Sequence, residues 1–234
     1  MWHLYKKEME LYFKTPFGFV FLGIFLILSG VMFTTYNLAG GNGDLSGTFD
    51  LLKNLTSLLF PVLTMRCFAE ERRAGTDRLL TTSRLKYSSI VLAKYLAALS
   101  VFLIALVVTG IYVIVIFKYG TPNFGSIIAG YFGFFLLGAA MIALCILCSS
   151  FADNQITAAV VSFGVLFALV IFASLSKSLN IPILTPVLSA LAITVRYDDF
   201  TLGILTPGPI MYFISFAVVC LFLAVKNIER RRFM

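Results

Sequence analysis

The densest group of ionisable side chains in this sequence is the stretch FAEERRAGTDRLLTTSRLKYSS, which lies between two apolar runs. Within it, Thr76 can cap a helix and Asp77 then lies in the first turn, where a negative charge is favoured. Leu79 and Leu80 give this predicted helix a small apolar face. Such a helix is suited to binding by another protein. Alternatively, the segment is a solvated turn whose arginines only fix the membrane topology. The residues alone leave both interpretations open.

Other residues that could bind a metal or take part in a reaction are few and isolated. Cys145 and Cys148 spell C-x-x-C, a spacing typical of metal or redox sites, but they have no histidine or acidic neighbours. We therefore interpret them as small packing residues. Asp198 and Asp199 could bind a metal, although adjacent carboxylates on an external loop are usually solvated. With His3 as the only histidine and no hydrolase or nucleotide-binding motif, we expect no catalysis, metal or cofactor in this chain.

Four polar side chains interrupt the second apolar run. They could line a pathway through a membrane or bond to neighbouring helices. The spacing leaves both possibilities open for Asn54, Thr56, Ser57 and Thr64.

The composition indicates that the elements positioning these residues lie in a bilayer. Hydrophobic residues make up 60% of the chain and charged residues 12%, with a mean hydropathy of +0.97. A span needs about 20 apolar residues, and the runs are too long for barrel strands. The sequence predicts an all-α integral membrane protein with six transmembrane helices. They cover residues 16–36, 49–68, 90–117, 124–151, 155–175 and 209–225.

The distribution of lysine and arginine predicts the orientation. With six spans, fourteen of the eighteen basic residues lie on the side that carries both termini and the 70–86 loop. Basic residues favour the cytoplasmic side, so we expect a cell-membrane protein with cytoplasmic termini. Anionic lipid of the inner leaflet accounts for the net charge of +7, and we expect no nucleic-acid partner.

The N-terminal segment 1–15 alternates apolar and polar residues with helical periodicity. It predicts an interfacial helix with Trp2, Tyr5 and Tyr12 at the headgroup level. Pro16 should end this helix or bend it into the first span.

The external segment 176–208 is broken by prolines, and its apolar stretch is too short to cross a membrane. We expect a pair of short re-entrant or interfacial helices there. Arg196, Asp198 and Asp199 should lie at the outer surface.

An ion-coupled secondary transporter or a channel is the alternative reading of such a chain. These proteins usually carry ionisable groups at membrane depth. The third to sixth predicted spans have none near their centres, and Asp50, Lys53 and Arg66 lie near the ends of the second.

Four stretches of the chain resemble the type-2 ABC export permeases, in particular the branch that includes gliding-motility and copper-maturation permeases. The most specific is PVLTMRCFAEERRAGTDRLLT (61–81); the others are KKEMELYFKTPFGFV (6–20), SSFADNQITA (149–158) and YDDFTLG (197–203) followed by a last span ending in ERRR. Arg84 departs from the resemblance, because relatives often have proline there.

The resemblance covers essentially the whole chain and implies one permease domain, residues 1–234. It implies an N-terminal elbow helix, and a coupling helix between spans two and three that cytoplasmic ABC ATPases bind. It also implies a second permease subunit, identical or paralogous, with ATP and magnesium on the ATPase. The implied coupling residues are Glu70, Glu71, Arg72, Arg73, Gly75, Thr76, Asp77, Arg78, Leu79 and Leu80.

Overall fold

The computed structural model describes residues 1–73, 75, 86–119, 124–178, 193–201 and 203–231, and within these ranges the chain is helical, with no strand. A π-helical turn follows the second helix at Thr34–Leu38, and a 3-10 turn lies at Val195–Tyr197. The α-helices are α1 (Trp2–Lys14), α2 (Pro16–Phe33), α3 (Ser46–Thr64), α4 (Arg66–Arg73), α5 (Tyr87–Tyr119), α6 (Phe124–Phe151), α7 (Gln155–Ser178), α8 (Asp198–Thr201) and α9 (Pro207–Arg231).

Five helices in the described part of the chain are long and apolar enough to cross a membrane. They are α2 with its π-helical turn, α5, α6, α7 and α9, which overlap the predicted spans 16–36, 90–117, 124–151, 155–175 and 209–225. The remaining predicted span, 49–68, falls on α3, which has 19 residues and carries Asp50 and Lys53 near its start. The described part of the chain therefore has five candidate spans, and α3 is the one predicted span outside these five.

The predicted span 49–68 is interrupted rather than continuous. Helix α3 runs through Pro61 and ends at Thr64, and α4 begins at Arg66. The Met65 amide donates to the Pro61 carbonyl at 2.9 Å. The interruption therefore lies one turn beyond Pro61, whose missing N–H already weakens the helix at that point.

Helix α6 is the centre of the fold. It packs against α3, α4, α5, α7, α8 and α9, and most of it is buried inside the chain. Two glycines allow this close packing: a Cβ atom at Gly138 would lie 2.2 Å from a ring carbon of Phe102, and one at Gly133 would lie 2.4 Å from Phe200. Aromatic rings of α5 and α8 therefore occupy space that any larger residue on α6 would fill.

A chain of aromatic contacts joins α3 to the segment 195–201 through the core. The ring centroids of Phe60 and Phe102 are 5.1 Å apart, those of Phe102 and Phe134 are 5.9 Å apart, and those of Phe134 and Tyr197 are 6.1 Å apart. Such pairs add about 0.5–1.5 kcal/mol each to the burial of the rings. Two short helical turns between the last two spans, at 195–201, are thus packed into the core, and the predicted pair of re-entrant or interfacial helices stays a prediction. The apolar stretch 184–192 lies outside the described residues.

The N-terminal helix is separate from the first span, as Pro16 predicts. Thr15 is extended, with φ −103° and ψ 154°, and Pro16 starts α2. Tyr12 is buried inside the chain, so its ring does not face lipid headgroups, and the depth of α1 in a membrane stays a prediction. Trp2 is 63% exposed, and Tyr5 is half-buried with its hydroxyl 2.9 Å from Ser100 Oγ.

Candidate functional site

The predicted coupling residues begin on α4, and only some of them are described. Glu70 to Arg73 form the second half of α4, and Gly75 follows with φ +67° and its amide bonded to the Arg72 carbonyl at 3.0 Å. Glycine suits this left-handed position, which ends the helix. The remaining predicted positions lie outside the described residues: Thr76, Asp77, Arg78, Leu79 and Leu80.

A buried lysine fastens the base of the predicted coupling segment to the N-terminal helix. Lys94, in the second turn of α5, donates from Nζ to Glu8 Oε1 at 2.9 Å and to Glu71 Oε1 at 2.8 Å. Its side chain is 2% exposed, and Nζ lies 5.3 Å from the centroid of the Phe68 ring. We call this set, together with Arg72 and the backbone that Arg72 binds, the Lys94 junction.

Burial makes the two carboxylates of the Lys94 junction dependent on the lysine. The Glu8 and Glu71 side chains are 8% and 18% exposed. Burial raises the pKa of the Glu71 carboxyl above its ordinary value, against the opposing charge of Lys94. Removing one partner of a buried ion pair leaves an uncompensated charge and costs about 3–5 kcal/mol. The ion pairs that join α1, α4 and α5 therefore need Lys94 to balance both carboxylates.

Tyr12 provides a second attachment of α1. Its hydroxyl donates to the Leu63 carbonyl at 3.0 Å and lies 3.5 Å from Cys67 Sγ. Burial raises the pKa of Tyr12 well above its ordinary value, so the hydroxyl stays a donor. The N-terminal helix is thus bonded to the end of α3 and the start of α4.

Arg72 extends the Lys94 junction to the connection between α6 and α7. Its guanidinium donates to the carbonyls of Ser150 and Ala152 and lies 3.7 Å from Asp153 Oδ1. Asn227 of α9 donates to the same Ser150 carbonyl at 2.8 Å. A planar, multidentate donor such as arginine is suited to holding two carbonyls at once. Two of the stretches that carry the family resemblance, 61–81 and 149–158, therefore meet here.

The first turn of α4 makes contacts of its own. Arg66 donates with Nε and Nη2 to Glu70 one turn along, and its guanidinium lies 4.3 Å from the centroid of the Phe17 ring on α2. Glu70, Glu71 and Arg72 thus bond within the chain. Arg73 is the last residue of α4.

The hydroxyls that were candidates for a pathway donate to carbonyls of their own helix. The Thr56 hydroxyl bonds to the Lys53 carbonyl at 2.8 Å, Ser57 to Asn54 at 2.6 Å and Thr64 to Phe60 at 2.9 Å. All three side chains are buried, whereas Asn54 is exposed. A pathway role for these four residues stays a prediction.

A second ion cluster lies at the opposite end of α3. Lys53 Nζ donates to Asp50 Oδ1 at 2.5 Å and to Asp198 Oδ1 at 2.6 Å, and it lies 5.8 Å from the centroid of the buried Tyr197 ring. We call these four residues the Lys53 cluster. Asp198, which we expected at the outer surface, has a side chain that is 32% exposed, and its carboxylate also joins α8 to α3 through Lys53.

The cysteines of the C-x-x-C pattern, Cys145 and Cys148, are both buried in α6. Among the residues that the structure describes, no three or more His, Cys, Asp or Glu side chains form a group that could hold a metal ion.

Sequence reasoning missed Glu8, Lys94 and Asn227 as parts of one site. A signal for Glu8 was available, because positions 5, 8 and 12 share one face of a helix with Tyr5 and Tyr12. A charged residue on an otherwise apolar face indicates a buried partner. Lys94 was only one of the fourteen basic residues that the sequence analysis assigned to the side of the termini.

A comparison with protein families identifies the family of this chain. A family described as ABC-2 family transporter protein matches residues 51–226. No significant match is found among curated proteins. The match covers most of the chain, which therefore belongs to the ABC-2 transporter family and is a multi-pass membrane protein, the permease component of an ABC transporter.

Proposed function

We propose that this member of the ABC-2 transporter family is the membrane-spanning subunit of an ABC exporter. A separate cytoplasmic ATPase hydrolyses ATP, with its magnesium, and this chain converts the resulting motion into export of a lipid, amphiphile or peptide, or into mechanical work on the envelope. The proposal rests on the family match together with the Lys94 junction.

The Lys94 junction supports coupling because it surrounds the two ends of the segment 74–85. Helix α4 leads into this segment and α5 leads out of it. Arg72 on one side and Lys94 on the other join these helices to α1, to the α6–α7 connection and, through Ser150, to α9. A displacement of the segment would therefore move several helices together, as rigid elements do in domain closure.

The proposed topology has six spans, with α3 as the second, and both termini in the cytoplasm. In this arrangement α4, the segment 74–85 and α1 lie at the cytoplasmic face, and the Lys53 cluster lies at the outer face. The basic side chains of α1, such as Lys6 and Lys14, would contact anionic lipid. A second permease subunit, identical or paralogous, completes the transporter, with contacts through α2 and α7.

The experiment targets the apolar face predicted for the coupling helix. Leu79→Asp combined with Leu80→Asp should abolish co-purification of the ATPase, because charges would replace two leucines that the proposal places against the ATPase. The control is Ile204→Asp with Leu205→Asp, two exposed apolar residues in the connection before α9. This control should leave co-purification and substrate-stimulated ATP hydrolysis at the level of the unmodified complex.

Two results would contradict the proposal. One is an ATPase that still co-purifies with the Leu79/Leu80 variant while the variant remains folded. The other is transport by the purified chain alone down an ion gradient, which is expected of a secondary transporter.

A further inference from the structure

The connection between α2 and α3 contains two residues whose chemistry the coupling mechanism does not use. Asn42 is the only asparagine of the sequence that is followed by glycine. The backbone nitrogen of the following residue can attack the amide carbon of an asparagine side chain, which makes asparagine a labile residue. Glycine hinders this attack least, because it has no Cβ atom and a freely moving backbone. The pair Asn42–Gly43 therefore carries both groups that such a covalent change needs.

The structure leaves the two reacting residues accessible. Asn42 and Gly43 are exposed, and they lie where the connection has no helical turn. A Cβ atom at Gly43 would have no other atom within 4 Å, so the backbone is not crowded there. Among the described residues, no hydrogen-bond acceptor holds the Gly43 amide. The attacking nitrogen is thus free of a bond that would first have to break.

The other described asparagines are placed differently. Three of them precede residues whose amide nitrogens belong to helices, namely Asn37, Asn54 and Asn227. Asn154 is exposed, but its Oδ1 accepts the Thr157 amide at 2.8 Å in the cap of α7, and a residue larger than glycine follows it. The open arrangement at Asn42 is therefore not shared by these four.

Asn42 also belongs to a small hydrogen-bond network that requires a neutral amide. Its Nδ2 donates to the Tyr36 carbonyl at 3.0 Å, and its backbone carbonyl accepts Asn37 Nδ2 at 2.7 Å. The buried Asn37 side chain also donates to the Asp44 carbonyl at 2.9 Å and accepts the Thr48 hydroxyl. The network joins the π-helical turn after α2 to the first turn of α3. The Asn42 Nδ2 bond is exposed and opens readily, because water replaces the lost partner.

We propose that Asn42–Gly43 is a site of spontaneous covalent modification. The Gly43 nitrogen gives its proton to solvent base and attacks Asn42 Cγ. The Cγ–Nδ2 bond then breaks, Nδ2 takes a proton from water and leaves as ammonia, and a cyclic succinimide remains. Water adds to either carbonyl of the ring and one C–N bond breaks, which gives aspartate or isoaspartate at position 42. The net reaction consumes water and releases ammonia, without an oxidant, a reductant or ATP hydrolysis.

The modification changes the charge and the bonding of the α2–α3 connection. A carboxylate at position 42 cannot donate to the Tyr36 carbonyl, and it lies close in sequence to Asp44, whose carboxylate accepts the Ser126 hydroxyl at 3.1 Å. In the isoaspartate product the main chain runs through the side-chain carbon, so the carbonyl that Asn37 binds becomes part of a carboxylate. The contact between the π-helical turn and the start of α3 is thereby loosened.

The experiment incubates the purified, folded chain in detergent at mildly alkaline pH in heavy-oxygen water, since base forms the attacking nitrogen anion. Protease digestion in ordinary water and mass spectrometry then follow the conversion of each asparagine. Asn42 should gain a heavy oxygen atom, isoaspartate should be among the products, and conversion at Asn154, the internal control, should be lower by about tenfold or more.

Gly43→Ala is the test variant, and it should slow the conversion of Asn42 about tenfold, because a Cβ atom hinders the approach of the nitrogen. Alanine fits at this position, since Gly43 has open space and no positive φ. Gly208→Ala is the matched control, because this glycine also has open space around its Cβ position. It should leave the conversion unchanged.

Asn42→Asp reproduces the charge of the product without the incubation. It should increase hydrogen exchange in residues 36–39, where the Ala39 amide donates to the Thr34 carbonyl at 2.8 Å. Asn154→Asp, in which a side-chain oxygen still caps α7, should leave that exchange unchanged. The same exchange in both variants would contradict the loosening of the connection.

Three results would overturn the proposed modification. Asn42 that stays intact in the folded chain but converts in denaturant would show that the network protects it. Equal conversion at Asn42 and Asn154 would show that glycine and the open connection have no effect. Aspartate without isoaspartate would exclude the succinimide, because direct hydrolysis of the side-chain amide gives only aspartate.

Discussion

The two buried lysines of this permease make the same type of contact in opposite surroundings. Each donates to two carboxylates, Lys94 to Glu8 and Glu71, and Lys53 to Asp50 and Asp198. The partners of Lys94 are 8% and 18% exposed, whereas those of Lys53 are 50% and 32% exposed.

This difference in exposure decides what each cluster contributes. Water and salt screen the Lys53 cluster, so its carboxylates stay solvated when the contact opens. In the Lys94 junction, opening would leave charges in an apolar setting. The Lys53 cluster is therefore suited to separating during a transport cycle, and the Lys94 junction is suited to holding helices together throughout it.

Lys94→Met tests the Lys94 junction, the more buried of the two clusters, and should cause the largest loss of stability. It leaves Glu8 and Glu71 buried without a cation, with an expected loss of stability of about 3–5 kcal/mol. Thermal unfolding of the detergent-solubilised protein measures it. Adding Glu8→Gln and Glu71→Gln to the same variant should recover most of the loss; no recovery would show that the charges are not its cause.

Arg72→Gln tests whether the junction reaches the α6–α7 connection. The change removes two charge-assisted bonds to the carbonyls of Ser150 and Ala152 and should cost about 2–3 kcal/mol. Hydrogen exchange should increase at residues 150–154. The exposed Arg196, whose guanidinium lies 5.7 Å from the centroid of the Tyr212 ring, provides the control as Arg196→Gln, with a loss of about 1 kcal/mol or less. Equal losses would contradict the role given to Arg72.

Lys53→Met should have the smallest effect, about 1 kcal/mol, because water can solvate Asp50 and Asp198. A double-mutant cycle with Asp198→Asn should give a coupling energy that declines towards zero as salt rises to about 1 M. The corresponding cycle for Lys94 and Glu71 should keep most of its coupling. Equal salt dependence in both cycles would remove the distinction between the two clusters.

The sequence was sufficient for the parts of the fold that depend on apolar length. The predicted limits 124–151 and 155–175 coincide with α6 and with the span within α7. Uniformly apolar runs bounded by polar residues leave little freedom in where a span can begin and end.

Contacts between distant segments could not be predicted from the apolar pattern of the sequence. Lys94 and Glu8 are separated by 86 positions, and the apolar surroundings of Lys94 in the sequence give no indication of its partner. The break at Met65 also escaped prediction, because a proline at position 61 indicates only that a helix is weakened nearby. The base of the proposed coupling segment is therefore a product of tertiary packing, whereas the charge pattern of that segment is visible in the sequence.

Trp2 is the only tryptophan of the chain, and it lies on the exposed side of α1, stacked on Tyr5. Intrinsic indole fluorescence of the native protein therefore originates from this one helix and from no other part of the molecule. Its emission wavelength reports the polarity around α1, so a shift in the emission of this chain, measured without a partner that contains tryptophan, would record a change around that helix without any attached label.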